Sequence, residues 1–157
     1  MNSIKIALLQ MTALGTECAA SVAKGELFCR RAAAMGADAA LFPEMWNIGY
    51  TPCPSDTDGR AAWCALAVPQ QSEYVTHFTV LARELDLAIA LTYLECRGEA
   101  VRNSVSLIDR HGQILFTYSS PHVRVGLGSG AGTRRGFLRR RARYARRAGQ
   151  GWRDDLP

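Results

Sequence analysis

The residues best placed to do chemistry lie between Asp38 and Tyr50, where a short apolar run, Ala39 to Phe42, meets Pro43 and then an acid, Glu44. Proline cannot donate to a sheet ladder, so a strand here ends abruptly. A buried strand that stops this way delivers a carboxylate to the rim of a sheet. In open α/β sheets ligands bind in crevices beyond the carboxyl ends of strands, which is where a reacting acid or base is needed. An acid after a strand and a proline is also a common solvated loop residue, and the residue types alone leave both readings open.

The other reactive side chains form no such constellation. Five cysteines (Cys18, Cys29, Cys53, Cys64, Cys96) are odd in number and never spaced as CxxC, which argues against a zinc site and for free, mostly buried thiols. His77, His111 and His122 are equally scattered. No cysteine stands beside a histidine as a nucleophile stands beside its base.

Elements that could position Glu44 follow from periodicity. Ile4 to Met11 reads as a first, largely buried strand, broken at Gly15 and Thr16. From Cys18 to Met35, the residues Ala20, Ala23, Leu27, Phe28 and Met35 recur at helical spacing between charged residues, and Gly36 supplies a stop. The strand before Glu44 comes next, giving a β-α-β unit with parallel strands. Thr51 to Gly59 (TPCPSDTDG) reads as loop. Glu73 to Asp86 is a second amphipathic helix, with Val75, Phe78, Leu81, Ala82 and Leu85 on one stripe, and a buried strand runs from Leu87 to Leu94. Asn103 to Asp109 and Gln113 to Tyr118 alternate around the turn Arg110-His111-Gly112, the pattern of a hairpin. The order defines an α/β sandwich.

A chain of 157 residues has the length of one ordinary domain. No apolar run approaches the roughly 18 residues of a membrane span, and the start, MNSIKIALLQ, does not read as a signal peptide. The expected location is the cytoplasm. The formal charge of +5 divides into a net −3 from Met1 to Tyr118 and a net +8 from Ser119 onward, the latter from ten arginines and two aspartates. Ten arginines can hold nucleic acid without sequence preference, yet no base-reading motif accompanies them, so specific nucleic-acid binding is not expected.

Four segments together carry a resemblance: IKIALLQM, LFPEMWNIGY, AIALTYLE and NSVSLIDRHGQILFTY. In type, order and approximate spacing, including the element P-E-x-x-x-x-G-Y, residues 1–118 resemble the opening motifs of the nitrilase, or carbon–nitrogen hydrolase, superfamily. The resemblance implies an α-β-β-α sandwich, usually in homo-oligomers, that hydrolyses a small amide, nitrile or N-carbamoyl amine through a Glu, a Lys and a Cys. Glu44 matches the family's first Glu, the proton acceptor. Met45, Trp46 and Tyr50 are expected beside the substrate by their place next to that base, although Trp46 and Tyr50 serve equally well as core aromatics packed under the loop. The implied chemistry needs no metal or organic cofactor. A thiol with a pKa near roughly 8.5 is mostly protonated at neutral pH, so a carboxylate must take its proton. A Lys ammonium then stabilises the charge that develops on the substrate.

After Tyr118 the sequence departs from that pattern. A Lys-Val-His-like segment is expected, and the chain reads SSPHVRVGLGSGAGTRRG, with no Lys after Lys24 and no Cys after Cys96. A shift of reading frame accounts for this. Residues from His122 onward can be back-translated in another frame to a string containing GSEAG and ending GAMIC, which resembles the family's missing middle. Loss of two bases from a Lys codon after Ser119 would yield SSPHV. A genuine basic tail is the alternative. On either origin, residues 119–157 form a separate Arg/Gly-rich segment with few large apolar residues, expected to be disordered, and the body is expected to be a truncated, inactive piece with apolar surface left bare.

Overall fold

The computed structural model describes residues 3–98, 100–120 and 125–126, all within the unit Met1–Leu127. Strand β1 (Ile6–Leu8) leads to helix α1 (Cys18–Ala34), strand β2 (Ala39–Leu41), a 3₁₀ turn (Trp46–Ile48), helix α2 (Thr57–Cys64) and helix α3 (Glu73–Leu85). Strands β3 (Ala88–Arg97), β4 (Ala100–Ile108), β5 (Ile114–Ser119) and β6 (Val125–Gly126) follow. The sheet runs β1-β2-β3-β4-β5, parallel from β1 to β3 and antiparallel from β3 to β5, as the β-α-β unit and the hairpin require. The expected α/β architecture is present.

Helix α3 forms as its stripe dictates. Tyr74, Val75, Phe78, Leu81 and Ala82 face the sheet, Ser72 caps the first turn through Val75 N, and Asp86 closes the helix in the left-handed region. Phe78 meets Phe42 edge-to-face at 5.1 Å in the main core, with Leu9, Ala40, Ile89, Leu91 and Tyr93.

Helix α1 is turned differently from its apolar pattern. The buried positions are Ser21, Gly25, Cys29 and Ala32, while Leu27 and Met35 point outward. The Phe42 ring decides this: a Cβ on Gly25 would lie 2.7 Å from Phe42 Cε1. Only a face of small residues lets the helix approach the sheet over those two phenylalanines.

Three further features depart from the sequence reading. The loop after Tyr50 ends sooner than Gly59, because Asp56 accepts a hydrogen bond from Gly59 N at 2.7 Å and starts α2. Strand β3 runs beyond Leu94 to Arg97 and turns at Gly98, in a left-handed conformation, into β4, a hairpin that the charged stretch concealed. Against the expectation of disorder from Ser119 onward, Val125 and Gly126 pair with Val101 and Ala100 of β4. Residues 121–124 and 127–157, on which the remaining expectations for the tail fall, lie outside the described residues.

The second face of the sheet is covered at one end only. There Leu94 and Val101 pack with Met45, Ile48, Trp63 and Cys64, beneath the 3₁₀ turn and α2. Alternation along β3 sets Leu94 opposite to Ile89, Leu91 and Tyr93, so the two clusters lie on opposite sides of the sheet.

Candidate active site

Strand β2 ends where its sequence says it must. Phe42 N still bonds to Ala90 O at 3.1 Å, and Pro43 then breaks the ladder. The chain turns at Met45, which takes φ 51° in the left-handed region, as Tyr50 does at φ 58°. Non-glycine residues hold that conformation only when their surroundings fix it, at a cost of about 1–3 kcal/mol each.

The surroundings do fix it. Thr92 of β3 donates through Oγ1 to Pro43 O and accepts from Trp46 N at 3.3 Å. Asn47 Oδ1 takes the Leu94 N–H at 2.8 Å, and the Trp46 indole donates to Ser21 O of α1 at 2.8 Å. Trp63 Nε1 donates to Thr51 O at 2.8 Å and closes the far side of the loop. Three elements, β3, α1 and α2, thus hold the segment from Pro43 to Thr51.

Glu44, like Tyr50, is an exposed member of that segment. Its Oε1 accepts a hydrogen bond from Asn103 Nδ2 on β4. Two clefts meet at its carboxylate. One, of about 280 Å³, is lined by Leu41, Phe42, Thr92, Asn103, Ser104, Val105, Tyr118 and Ser120. The other, of about 350 Å³, is lined by Met11, Ala13, Pro43, Trp46, Gly49 and Tyr50. A small molecule in either one can reach the Glu44 carboxylate.

The expected neighbours of Glu44 divide. Tyr50 is exposed and borders the second cleft. Trp46 borders it too, yet it is 1% exposed and belongs to the main core. Met45 is buried in the smaller cluster and lines neither cleft.

Sequence reasoning missed Asn103, Thr92 and a buried carboxylate, Glu95. Glu95 is 3% exposed on β3, and its Oε2 accepts from Ser104 Oγ at 2.6 Å and Ser119 Oγ at 3.1 Å. Polar residues at inward strand positions, NSVS among them, were the available signal, since a buried polar group implies a partner.

Among the described residues, no thiol stands beside Glu44. Neither cleft is lined by any of the five cysteines, all of which are free. Burial pushes the Cys29 thiol up to about 12 and raises Cys18, Cys53 and Cys64 as well, the opposite of activation. Lys24 is engaged with Thr12 O and Lys5 with Met35 O. Ser120, near where the resemblance expects a Lys, borders the first cleft and donates from its backbone to Asn103 O. Among the described residues no three His, Cys, Asp or Glu side chains converge as a metal would require, and no helix is long and apolar enough to cross a membrane.

The chain is of the α/β class, with Glu44 just past the second strand of its sheet. The carbon–nitrogen hydrolase pattern matches residues 5–134, and the chain belongs to that family. Relatives include a citrullinase from Francisella tularensis subsp. tularensis, 30% identical over 82% of this chain and 43% of its own length. An N-carbamoylputrescine amidase from Arabidopsis thaliana is 29% identical over 74% of this chain and 38% of its own length. In fold, an amidase from Nesterenkonia sp. matches with a TM-score of 0.64 at 24% identity, over 82% of this chain and 48% of that one. A variant of the Nesterenkonia sp. AN1 amidase in complex with butyramide gives 0.64 at 23% identity, over 82% and 49%. The chain spans about two fifths of the length of the curated relatives it matches.

Proposed function

We propose that Glu44 is the proton acceptor of a carbon–nitrogen hydrolase that acts on a small amide, nitrile or N-carbamoyl amine. The observation that carries this reading is the hydrogen bond from Asn103 to Glu44 at the junction of two clefts, in a chain with the family's sequence pattern. The carboxylate takes the proton of a thiol, the thiolate attacks the substrate carbon, the proton passes to the nitrogen that leaves as ammonia or an amine, and the same carboxylate then takes a proton from the water that frees the acyl group. A Lys ammonium offsets the charge on the oxygen or nitrogen. Tyr50 and Trp46 bound the substrate from the side of the second cleft, and Met45 supports the loop from beneath. No cofactor takes part.

The thiol and the ammonium are the groups this chain lacks beside Glu44, so the 157 residues alone turn over no substrate. We ascribe the departure after Tyr118 to a shifted reading frame. The nucleotide sequence around codon 119 tests it: two lost bases and an open frame encoding GSEAG and GAMIC would support it, and an undisturbed frame would refute it. Five unpaired cysteines suit a reducing compartment, and we assign the chain to the cytoplasm. Assays of short amides, nitriles and N-carbamoyl amines, with the chain as it stands and with the frame restored, test the activity. Turnover by the unrestored chain that vanishes in Glu44→Gln would overturn the view that it is inactive.

A further inference from the structure

The loop after Tyr50 lies along α2 and is pinned to it at both ends. Trp63 Nε1 donates to Thr51 O at 2.8 Å, and further on Pro54 packs against Gly59, where an added Cβ would come within 2.9 Å of Pro54 Cβ. The Arg60 guanidinium adds a tie to Ser55 O at 3.4 Å. The loop therefore runs antiparallel to the helix, and Cys53, flanked by Pro52 and Pro54, is held between the two pins. On the helix, Gly59 and Trp63 are one turn apart, and Cys64 ends α2 inside the small apolar cluster against which Cys53 packs. A third thiol comes from the sheet: alternation along β3 puts Cys96 on the side of Leu94, and its N–H bonds to Val68 O, just past α2. Among the described residues no such group of side chains converges as a metal would require, so these thiols are not a metal set.

We propose that Cys53 and Cys64 are a redox pair that closes into a disulfide when the chain meets an oxidised low-molecular-weight disulfide, locking the loop onto α2. Cys53 is half-buried and Cys64 is 7% exposed, so Cys53 reacts first. Its sulfur gives up the 3.6 Å contact with Pro54 O, loses its proton and attacks the small disulfide, releasing one small thiol. The Cys64 sulfur, losing its proton in turn, attacks the mixed disulfide and releases the second. Two protein thiols are oxidised, one small disulfide is reduced, and the two protons end on the small thiols that leave. Burial raises both protein thiols and so keeps them protonated and slow at rest, while the Arg60 guanidinium opposes that rise at both. In reducing surroundings the pair stays open, and its closed form is the transient, redox-sensing kind of bridge found there. This inference does not depend on the role of Glu44.

The full chain, equilibrated in mixtures of oxidised and reduced glutathione, quenched in acid, alkylated and cut with trypsin, gives the test. Cys53, Cys64 and Cys96 fall in three separate fragments, residues 32–60, 61–83 and 84–97, so a bridge among them reports its partners by mass. The expected product joins 32–60 to 61–83, opens with dithiothreitol, and is favoured at least about tenfold in the native chain over the chain in urea. Cys64→Ser should leave Cys53 carrying glutathione. Amide exchange at Thr51, Cys53 and Ser55 should slow about tenfold when the bridge is closed. No bridge in a mixture that leaves the far-ultraviolet spectrum native, a bridge to Cys96 in its place, a bridge formed equally well in urea, or a closed bridge that leaves the exchange unchanged would each overturn the proposal.

Discussion

Asn103 on β4 and Glu44, separated by 59 positions in sequence, are joined by a hydrogen bond from the amide Nδ2 to the carboxylate Oε1. The acid comes from the parallel half of the sheet and its donor from the antiparallel half, so the bond forms only once both halves have assembled. Asn103 is 7% exposed and Glu44 is open to solvent on the other side. The carboxylate is therefore oriented by the protein and reachable by a ligand.

Asn103→Leu removes that donor. A hydrogen bond to a charged group contributes about 1.5–3 kcal/mol, but water can replace the amide at an exposed carboxylate. A loss below that range, about 1 kcal/mol, is expected from urea denaturation, with β3–β4 amide exchange otherwise unchanged.

Gly25→Ala sets two effects against each other. Alanine favours the helix interior by about 1 kcal/mol over glycine, whereas forcing an extra carbon into a packed core costs about 1–3 kcal/mol. The new Cβ would sit 2.7 Å from Phe42 and 3.1 Å from Phe78, both rings held in the core, so the clash should win. Net destabilisation of up to about 2 kcal/mol is expected, with disturbed Phe42 and Phe78 signals in the aromatic proton spectrum.

That glycine also shows how far the sequence could be read. Helix α3, the end of β2 at Pro43 and the β4–β5 hairpin follow from local pattern, because stripe, breaker and alternation each act within a few residues. The facing of α1 does not, because Leu27 and Met35 look like core residues until Phe42 and Phe78 occupy the space beneath. The β3–β4 hairpin was hidden for a related reason: ECRGEAVR reads as a polar loop, while pairing from Arg97 with Ala100 back to Ile89 with Ile108 makes it a tight turn. The position of Glu44 past the end of β2 was legible from its proline, and its bond to Asn103 was not, since nothing near either residue names the other.

Trp46→Phe should isolate the clamp on the loop. It deletes the indole bond to Ser21 O, a carbonyl that keeps its partner within α1, so the loss is that of one hydrogen bond, about 0.5–1.5 kcal/mol. Thermal unfolding should fall accordingly, and Tyr50, held in the left-handed region at the end of the same segment, should become more mobile by ¹⁵N relaxation.

Helices α1 and α3 are joined by Arg30, which bonds Glu26 at 2.8 Å and Glu84 at 2.7 Å. The Arg30 hydrogen bond is the main reason both carboxyls titrate below their ordinary value of 4.5. Groups whose folded pKa is depressed stabilise above their unfolded pKa and lose that contribution as pH falls through the folded one. Stability should therefore drop in acid, below about pH 4.5, and Arg30→Met should flatten that part of the profile in urea midpoints measured at low salt.

The role of Glu44 is tested most directly by a version of the chain in which the alternative frame is restored from codon 120. The expected result is hydrolysis of a short amide or N-carbamoyl amine that falls at least about a hundredfold in Glu44→Gln, with no turnover by the 157-residue chain. Hydrolysis by the restored chain that is indifferent to Glu44→Gln would contradict the assignment.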